Sequence, residues 1–187
     1  MKNPNRIRNL VPSVLLLIVY VTTYLISLGM GRPIDLLDFI AAAGTLTGVS
    51  ILLSWMAWPY YYVLIFFACF AQYLGMMFSF YTLFWWYDIA LHFSSGIMLT
   101  AFGYYFYTLL ARRTNSPQAP GIAVLFSVFF AISCAGVWEI YEFLADTFFG
   151  LTAQGVGVQD TMEDIIAGSS SAAVCGAGLY LRLRKKQ

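Results

Sequence analysis

The chain has 187 residues, 60% of them hydrophobic and only 10% charged, with a formal net charge of +1. A soluble domain is about 45–50% apolar and about 25% charged, so this chain lacks the charge to coat a water-exposed surface, and its balance points to no nucleic-acid partner. The long unbroken apolar runs also exclude a membrane β-barrel, whose strands alternate over segments of about ten residues. The expected fold is all-α and polytopic, a six-transmembrane-helix bundle forming one integral membrane domain over residues 1–187.

A spanning helix needs about 17–25 mostly apolar residues. Six stretches qualify: 10–28, 36–58, 60–80, 84–110, 121–145 and 161–181. Before the first stand Lys2, Arg6 and Arg8, a pattern shared with signal peptides. The run is longer than an h-region and no small-x-small cleavage site follows, so it is expected to be an uncleaved span. Asp35 and Asp38 open the second span, placed to cap it or to pair with Arg32. Trp58-Pro59 marks the boundary with the third, because one element kinked at Pro59 would exceed a single span. The polar segment from Arg112 to Pro120 separates the fourth and fifth. Cys69, Cys134 and Cys175 each lie in an apolar run, outside any CxxC, and read as small buried hydrophobes.

Six spans from a cytoplasmic N-terminus put Lys2, Arg6, Arg8, Arg112, Arg113, Arg182, Arg184, Lys185 and Lys186 inside and leave only Arg32 outside. The positive-inside rule therefore predicts both termini in the cytoplasm. Trp55, Trp58 and Tyr60–Tyr62 fall at the inner interface, and Trp85–Tyr87 at the outer one, as aromatic belts. The basic run at Arg182–Lys186 is a topology signal and contacts lipid headgroups. Gly44-x-x-x-Gly48, and Gly168, Ala172 and Gly176, are small-residue faces suited to close helix packing inside the bundle or to an oligomer.

The acids are segregated in the opposite sense. Asp35, Asp38, Asp88, Glu139, Glu142, Asp146, Asp160, Glu163 and Asp164 all fall at outer span ends or in outer loops. Asp88 and His92, the chain's one histidine, are i,i+4 on span four. Glu139, Glu142 and Asp146 are i, i+3, i+7 near the end of span five, and Asp160 and Asp164 are i,i+4 at the start of span six. Each set shares a helix face. Some of these acids have plain structural explanations. Thr161-x-x-Asp164 has the form of a capping box with Asp in place of Glu, Asp88 can be an interfacial N-terminal acid, and Glu163 turns away and is solvated. Glu139 and Glu142 resist such explanations: they stand near a helix C-terminus, where the dipole disfavours negative charge, within an apolar run. Ionisable residues in spans generally mark function.

Carboxylates and one imidazole with almost no cation nearby must hold protons or a metal ion. Oxygen ligands with one nitrogen suit Mg²⁺, Ca²⁺, Mn²⁺, Fe²⁺ or Zn²⁺. The candidate metal site is Asp88, His92, Glu139, Glu142, Asp160 and Asp164, with Asp146 at its mouth. A serine triad of Asp88, His92 and Ser95 on one helix would not reach nucleophile–base–orienter geometry.

Three segments together, Tyr87-Asp88-Ile-Ala-Leu-His92-Phe-Ser-Ser-Gly96, Gly136-Val-Trp138-Glu139-Ile-Tyr-Glu142-Phe-Leu-Ala-Asp146 and Gln159-Asp160-Thr161-Met-Glu-Asp164-Ile-Ile-Ala-Gly168, resemble the YjdF-like family of bacterial inner-membrane proteins over roughly residues 60–181. The resemblance implies a compact six-span protein of the bacterial plasma membrane and names no reaction. A fainter similarity is to VanZ-like proteins, which also carry an Asp-x-x-x-His element, a later intramembrane Glu and a final Asp before a Gly-rich span. The present chain lacks their Glu-Gln pairing and following Arg. Three uses of the acidic–His site are open: a metal-assisted enzyme on a lipid-linked or envelope substrate, a cation- or proton-coupled carrier, and an accessory protein in which the cluster only joins helices. A carrier should also have charged or discontinuous elements in the inner half, and none is evident. Membrane lipids are the expected surroundings.

Overall fold

The computed structural model describes residues 4–117, 119–150, 153–155 and 157–185, so Lys2 and Lys186 of the charge pattern lie outside the described residues. Every regular element among the described residues is helical. Six stretches are long and apolar enough to cross a membrane: Arg6–Gly29, Leu36–Leu53, Trp58–Met77, Tyr87–Arg113, Pro120–Phe149 and Val158–Arg184. The chain divides into two compact units, Met1–Tyr87 and Asp88–Gln187.

The first unit holds α1 (Pro4–Gly29), α2 (Leu36–Leu53), α3 (Trp58–Ala68), which runs on as a π-helical segment (Cys69–Met77), and the single turn α4 (Phe80–Leu83). Asp35 caps α2, accepting the amides of Leu37 at 2.7 Å and Asp38 at 3.4 Å. Helix α2 ends at Leu53, short of Trp58, because the chain turns there and Pro59 takes one of the first positions of α3, where its missing N–H is not needed. Buried Asn9 holds that turn, its amide donating to the carbonyls of Ser54 and Met56 at 2.9 Å each. Further along, Thr23 and Tyr73 share a hydroxyl hydrogen bond of 2.7 Å, and Tyr73 stacks on Tyr20. The Tyr81 ring occupies the space beside Gly75, so α4 packs where a β-carbon would stand.

The packing faces in this unit differ from the sequence expectation. Nothing lies within 4 Å of where a β-carbon would sit at Gly44 or Gly48. Among the described residues of this unit, that small-residue pair makes no close helix contact, since the buried stripe of α2 is Ala42, Leu46 and Ser50.

The second unit holds α5 (Tyr87–Arg113), apart from its first residue, with α6 (Pro120–Phe149) and α7 (Val158–Arg184). Here small residues bring the backbones together. A β-carbon at Gly96 would run into the Gly168 carbonyl and the Ser171 hydroxyl, one at Gly103 into the Ser127 backbone, and one at Gly176 into the Val128 side chain. The buried positions fall four or nearly four apart on each helix: His92, Gly96, Thr100 and Gly103 on α5; Ser127, Ala131, Ala135 and Glu139 on α6; Asp164, Gly168, Ala172 and Gly176 on α7. The outward faces are large and apolar, as at Ile97, Ile140, Phe143, Ile166 and Val174. This is the pattern for helices packed in lipid, where close backbone approach replaces a hydrophobic driving force.

Candidate functional site

Three of these buried stripes end at one place. Asp88 stands in the first turn of α5 and His92 one turn further in. Glu139 ends the stripe on α6, ten residues or about 15 Å of helix rise before Phe149. Asp164 opens the stripe on α7, six residues or about 9 Å after Val158. Helices α5 and α7 therefore begin, and α6 finishes, at the same end of the unit. The antiparallel order of consecutive helices follows from their short connections.

His92 is the hub. Its Nε2 lies 3.5 Å from Asp88 Oδ1 and 3.9 Å from Asp164 Oδ2, and its Nδ1 lies 3.7 Å from Glu139 Oε1. His92 is 8% exposed, Glu139 4% and Asp164 2%, while the Asp88 side chain keeps 31% exposure and forms the open side of the group. Both carboxylate oxygens of Glu139 and Oδ1 of Asp164 are buried without a hydrogen-bond partner. The Thr161 hydroxyl stands near Glu139 and accepts the Gln154 side-chain amide at 3.0 Å. Among the described residues no lysine or arginine lies within ion-pair distance of these four groups, whose charged contacts all run through His92.

Such an arrangement is costly unless something is held in it. A buried polar group without a partner costs about 1–3 kcal/mol, and a charged one more. Either protons neutralise the carboxyls, or a cation sits between them. One ligand atom each from Asp88, His92 and Asp164 fits within a mutual separation of 4.8 Å. Ligands of a tetrahedral ion with bonds of about 2.0–2.2 Å are roughly 3.4 Å apart, so the 3.5 Å His92–Asp88 spacing already matches. The 3.9 Å spacing to Asp164 needs a small closure. Two carboxylates and one imidazole suit Zn²⁺, Mn²⁺, Fe²⁺ or Co²⁺.

The other acids divide. Glu142 is half-buried, takes the Trp138 indole N–H at 2.7 Å, and lies beside the group, within electrostatic reach of Glu139, Asp88 and Asp164. Asp160 lies in the first turn of α7 with its carboxylate against Gly155. Neither belongs to the tight group. Asp146 anchors the loop at this end, accepting the amides of Ala153 at 2.7 Å and Gln154 at 2.9 Å. Glu163 is exposed and takes the Gln159 side-chain amide at 2.9 Å.

The capping-box reading of Thr161 and Asp164 is corrected. Helix α7 begins at Val158, after Gly157 in a positive-φ conformation (φ 89°), so Thr161 is already helical and its amide bonds the Gly157 carbonyl. Asp164 is then a full turn deeper than a cap requires, which places it at His92 rather than at the helix end. Two further residues take roles that their motif positions alone do not specify. Gly96 sets the α5–α7 spacing one turn from His92, and Trp138 engages Glu142; the first was visible only as a glycine following Ser94-Ser95.

The chain belongs to the family described as predicted membrane protein (DUF2238), which matches residues 11–185. An uncharacterized protein of Thermotoga maritima is 31% identical over 94 residues, a match covering 50% of this chain and 47% of that protein. The chain thus spans about half the length of that curated relative. No solved structure matches.

Proposed function

We propose that this multi-span membrane protein binds a divalent cation between Asp88, His92 and Asp164 and uses it at the membrane surface, as a metal-assisted enzyme on a lipid-linked or envelope substrate. The observation that carries the reading is the convergence of two carboxylates on one imidazole nitrogen, with buried carboxylate oxygens left unpartnered and, among the described residues, no basic side chain within ion-pair distance to balance them. A bound ion supplies Lewis acidity, polarising an oxygen of water or substrate. The chain's own part is positional. Asp164 and His92 are fixed by the α5–α7 contact, Asp88 is the exposed member through which a reactant enters, and Gly96 keeps the two helices close enough to share the ion.

The unequal ends of the helices favour this use over a carrier. Arg112, Arg113, Arg182 and Arg184 end α5 and α7, whereas the acids gather at the opposite end. Carriers commonly build a midplane site from discontinuous helices, whereas α5, α6 and α7 are each continuous. The same charge asymmetry supports cytoplasmic termini and an outward-facing site; the bacterial inner membrane is the setting implied by the likeness of the three motif segments to YjdF-like proteins. The test is elemental analysis of the detergent-purified protein, followed by titration with Zn²⁺, Mn²⁺ and Co²⁺ after chelation. One ion per chain, lost in His92→Ala and Asp164→Asn, is expected. Absence of metal together with unchanged stability under chelator would reject the reading.

A further inference from the structure

The imidazole of His92 has acids on both of its nitrogens, and the two sides are not equivalent. Nε2 faces two carboxylates, from Asp88 and Asp164, while Nδ1 faces one, from Glu139. A neutral imidazole offers one N–H and one lone pair. If the proton were on Nε2, the Nδ1 lone pair would point at the Glu139 carboxylate, whose oxygens are both buried and otherwise without a partner. That arrangement sets acceptor against acceptor. With the proton on Nδ1, Glu139 gains the donor it lacks, and the Nε2 lone pair faces the two remaining acids, an acceptor–acceptor contact that a cation held among the three relieves. Lone pair and carboxylates together then form a cation pocket. The Nδ1–Oε1 distance of 3.7 Å lies about 0.5 Å beyond the usual N–H···O range, within reach of a side-chain adjustment.

We propose that Glu139 is a positioning residue and not a metal ligand: it accepts the Nδ1–H of His92, fixes that tautomer and presents Nε2 to a divalent ion shared with Asp88 and Asp164. The inference rests on the ion-binding reading above and revises the ligand set drawn from the sequence. The lone-pair directions of the two ring nitrogens diverge, so an ion on Nε2 and the Glu139 oxygen on Nδ1 occupy opposite edges of the ring. A carboxylate behind a ligating histidine orients the ring and raises its basicity, and removing such a partner typically costs 10–100-fold in metal affinity. Packing agrees with this role. Glu139 ends the small-residue stripe Ser127, Ala131 and Ala135 on α6, so its backbone is held against the neighbouring helices. The apolar outward faces of Val137 and Ile140 turn the carboxylate inward.

Because His92 is the sole histidine, isotope-labelled histidine gives one imidazole spin system in the full chain in detergent micelles. NMR-active Cd²⁺ serves as the probe. The expected result is one-bond cadmium–nitrogen coupling at Nε2 with a proton retained on Nδ1. In Glu139→Gln the coupling should stay on Nε2, the Nδ1 resonance should move, and the Cd²⁺ Kd should rise about 10–100-fold. In Glu139→Leu, without Cd²⁺, the proton should redistribute toward Nε2. Helical circular dichroism and elution as a single species establish that each variant is folded, and a merely structural Glu139 would leave the tautomer untouched. Coupling at Nδ1, or a Kd and tautomer unchanged in both variants, overturns the inference while leaving ion binding intact. No cadmium effect on either nitrogen in the wild type overturns the ion-binding reading and this inference with it.

Discussion

Substitution of Gly96 by alanine tests the packing that assembles the site. A β-carbon there meets the Gly168 carbonyl and the Ser171 hydroxyl, and that hydroxyl is itself committed to the Gly168 carbonyl at 3.0 Å. Neither neighbour is the free end of a flexible side chain, so α5 and α7 must part. Overpacking of this kind costs about 1–3 kcal/mol, and the rigid neighbours place it near the upper figure. Alanine returns about 0.5–1 kcal/mol through its better helix propensity, leaving a net loss of about 2 kcal/mol. Gly136 on α6 is the matched control, because nothing stands within 4 Å of its β-carbon position; there alanine should be neutral or stabilise by about 0.5–1 kcal/mol. The contrast between the variants is therefore about 2–3 kcal/mol. It is read by equilibrium unfolding in mixed micelles on SDS titration, followed by circular dichroism. Gly96 is one turn from His92 and Gly168 one turn from Asp164, so the same change should widen the His92–Asp164 gap and weaken ion binding. Equal stabilities for Gly96→Ala and Gly136→Ala would refute the close α5–α7 approach and the site geometry that depends on it.

Other outcomes follow from the same geometry. His92→Ala and Asp164→Asn should each abolish ion binding and the double variant should add little, since one site is lost once; Glu142→Gln should retain the ion, because Glu142 is engaged by Trp138, and equal metal loss in all three would contradict that division. Ion affinity should fall as pH is lowered, because ligation needs a deprotonated imidazole and carboxylates; an affinity that rises on acidification in a competition titration would oppose the proposed ligand set. Asp146→Ala removes the acceptor of two loop amides and should lower stability by about 1.5–3 kcal/mol with faster proteolysis near Gln154, and unchanged proteolysis would count against the anchor. A cysteine placed at the exposed Glu163 should react with an impermeant reagent from outside while tags at residues 1 and 187 stay inside, and outside labelling of residue 187 would remove the proposed orientation.

The spans were legible in the sequence because the requirement behind them is local. Every backbone polar group crossing lipid must be satisfied within its own helix, so length and apolarity suffice to find the six helices. The edges were less legible, since hydropathy does not encode where a helix starts. Only the conformation at Gly157 moves the start of α7 back to Val158, turning Thr161 and Asp164 from a cap into interior positions. The acidic residues at one set of helix ends were also readable, by spacing along each face. Which of them meet was not. Glu139 and Glu142 are three residues apart and look interchangeable in sequence, yet the roughly 60° between them on the helix is enough to bring one against His92 and to let the other, still close to the group, pair with Trp138. The small-residue pairs behaved likewise: Gly44 and Gly48 have the better-known spacing but no close neighbour among the described residues of their unit, while Gly96 brings α5 against α7. Close approach depends on what stands opposite, and the residues opposite come from a helix distant in sequence, so tertiary structure alone decides it.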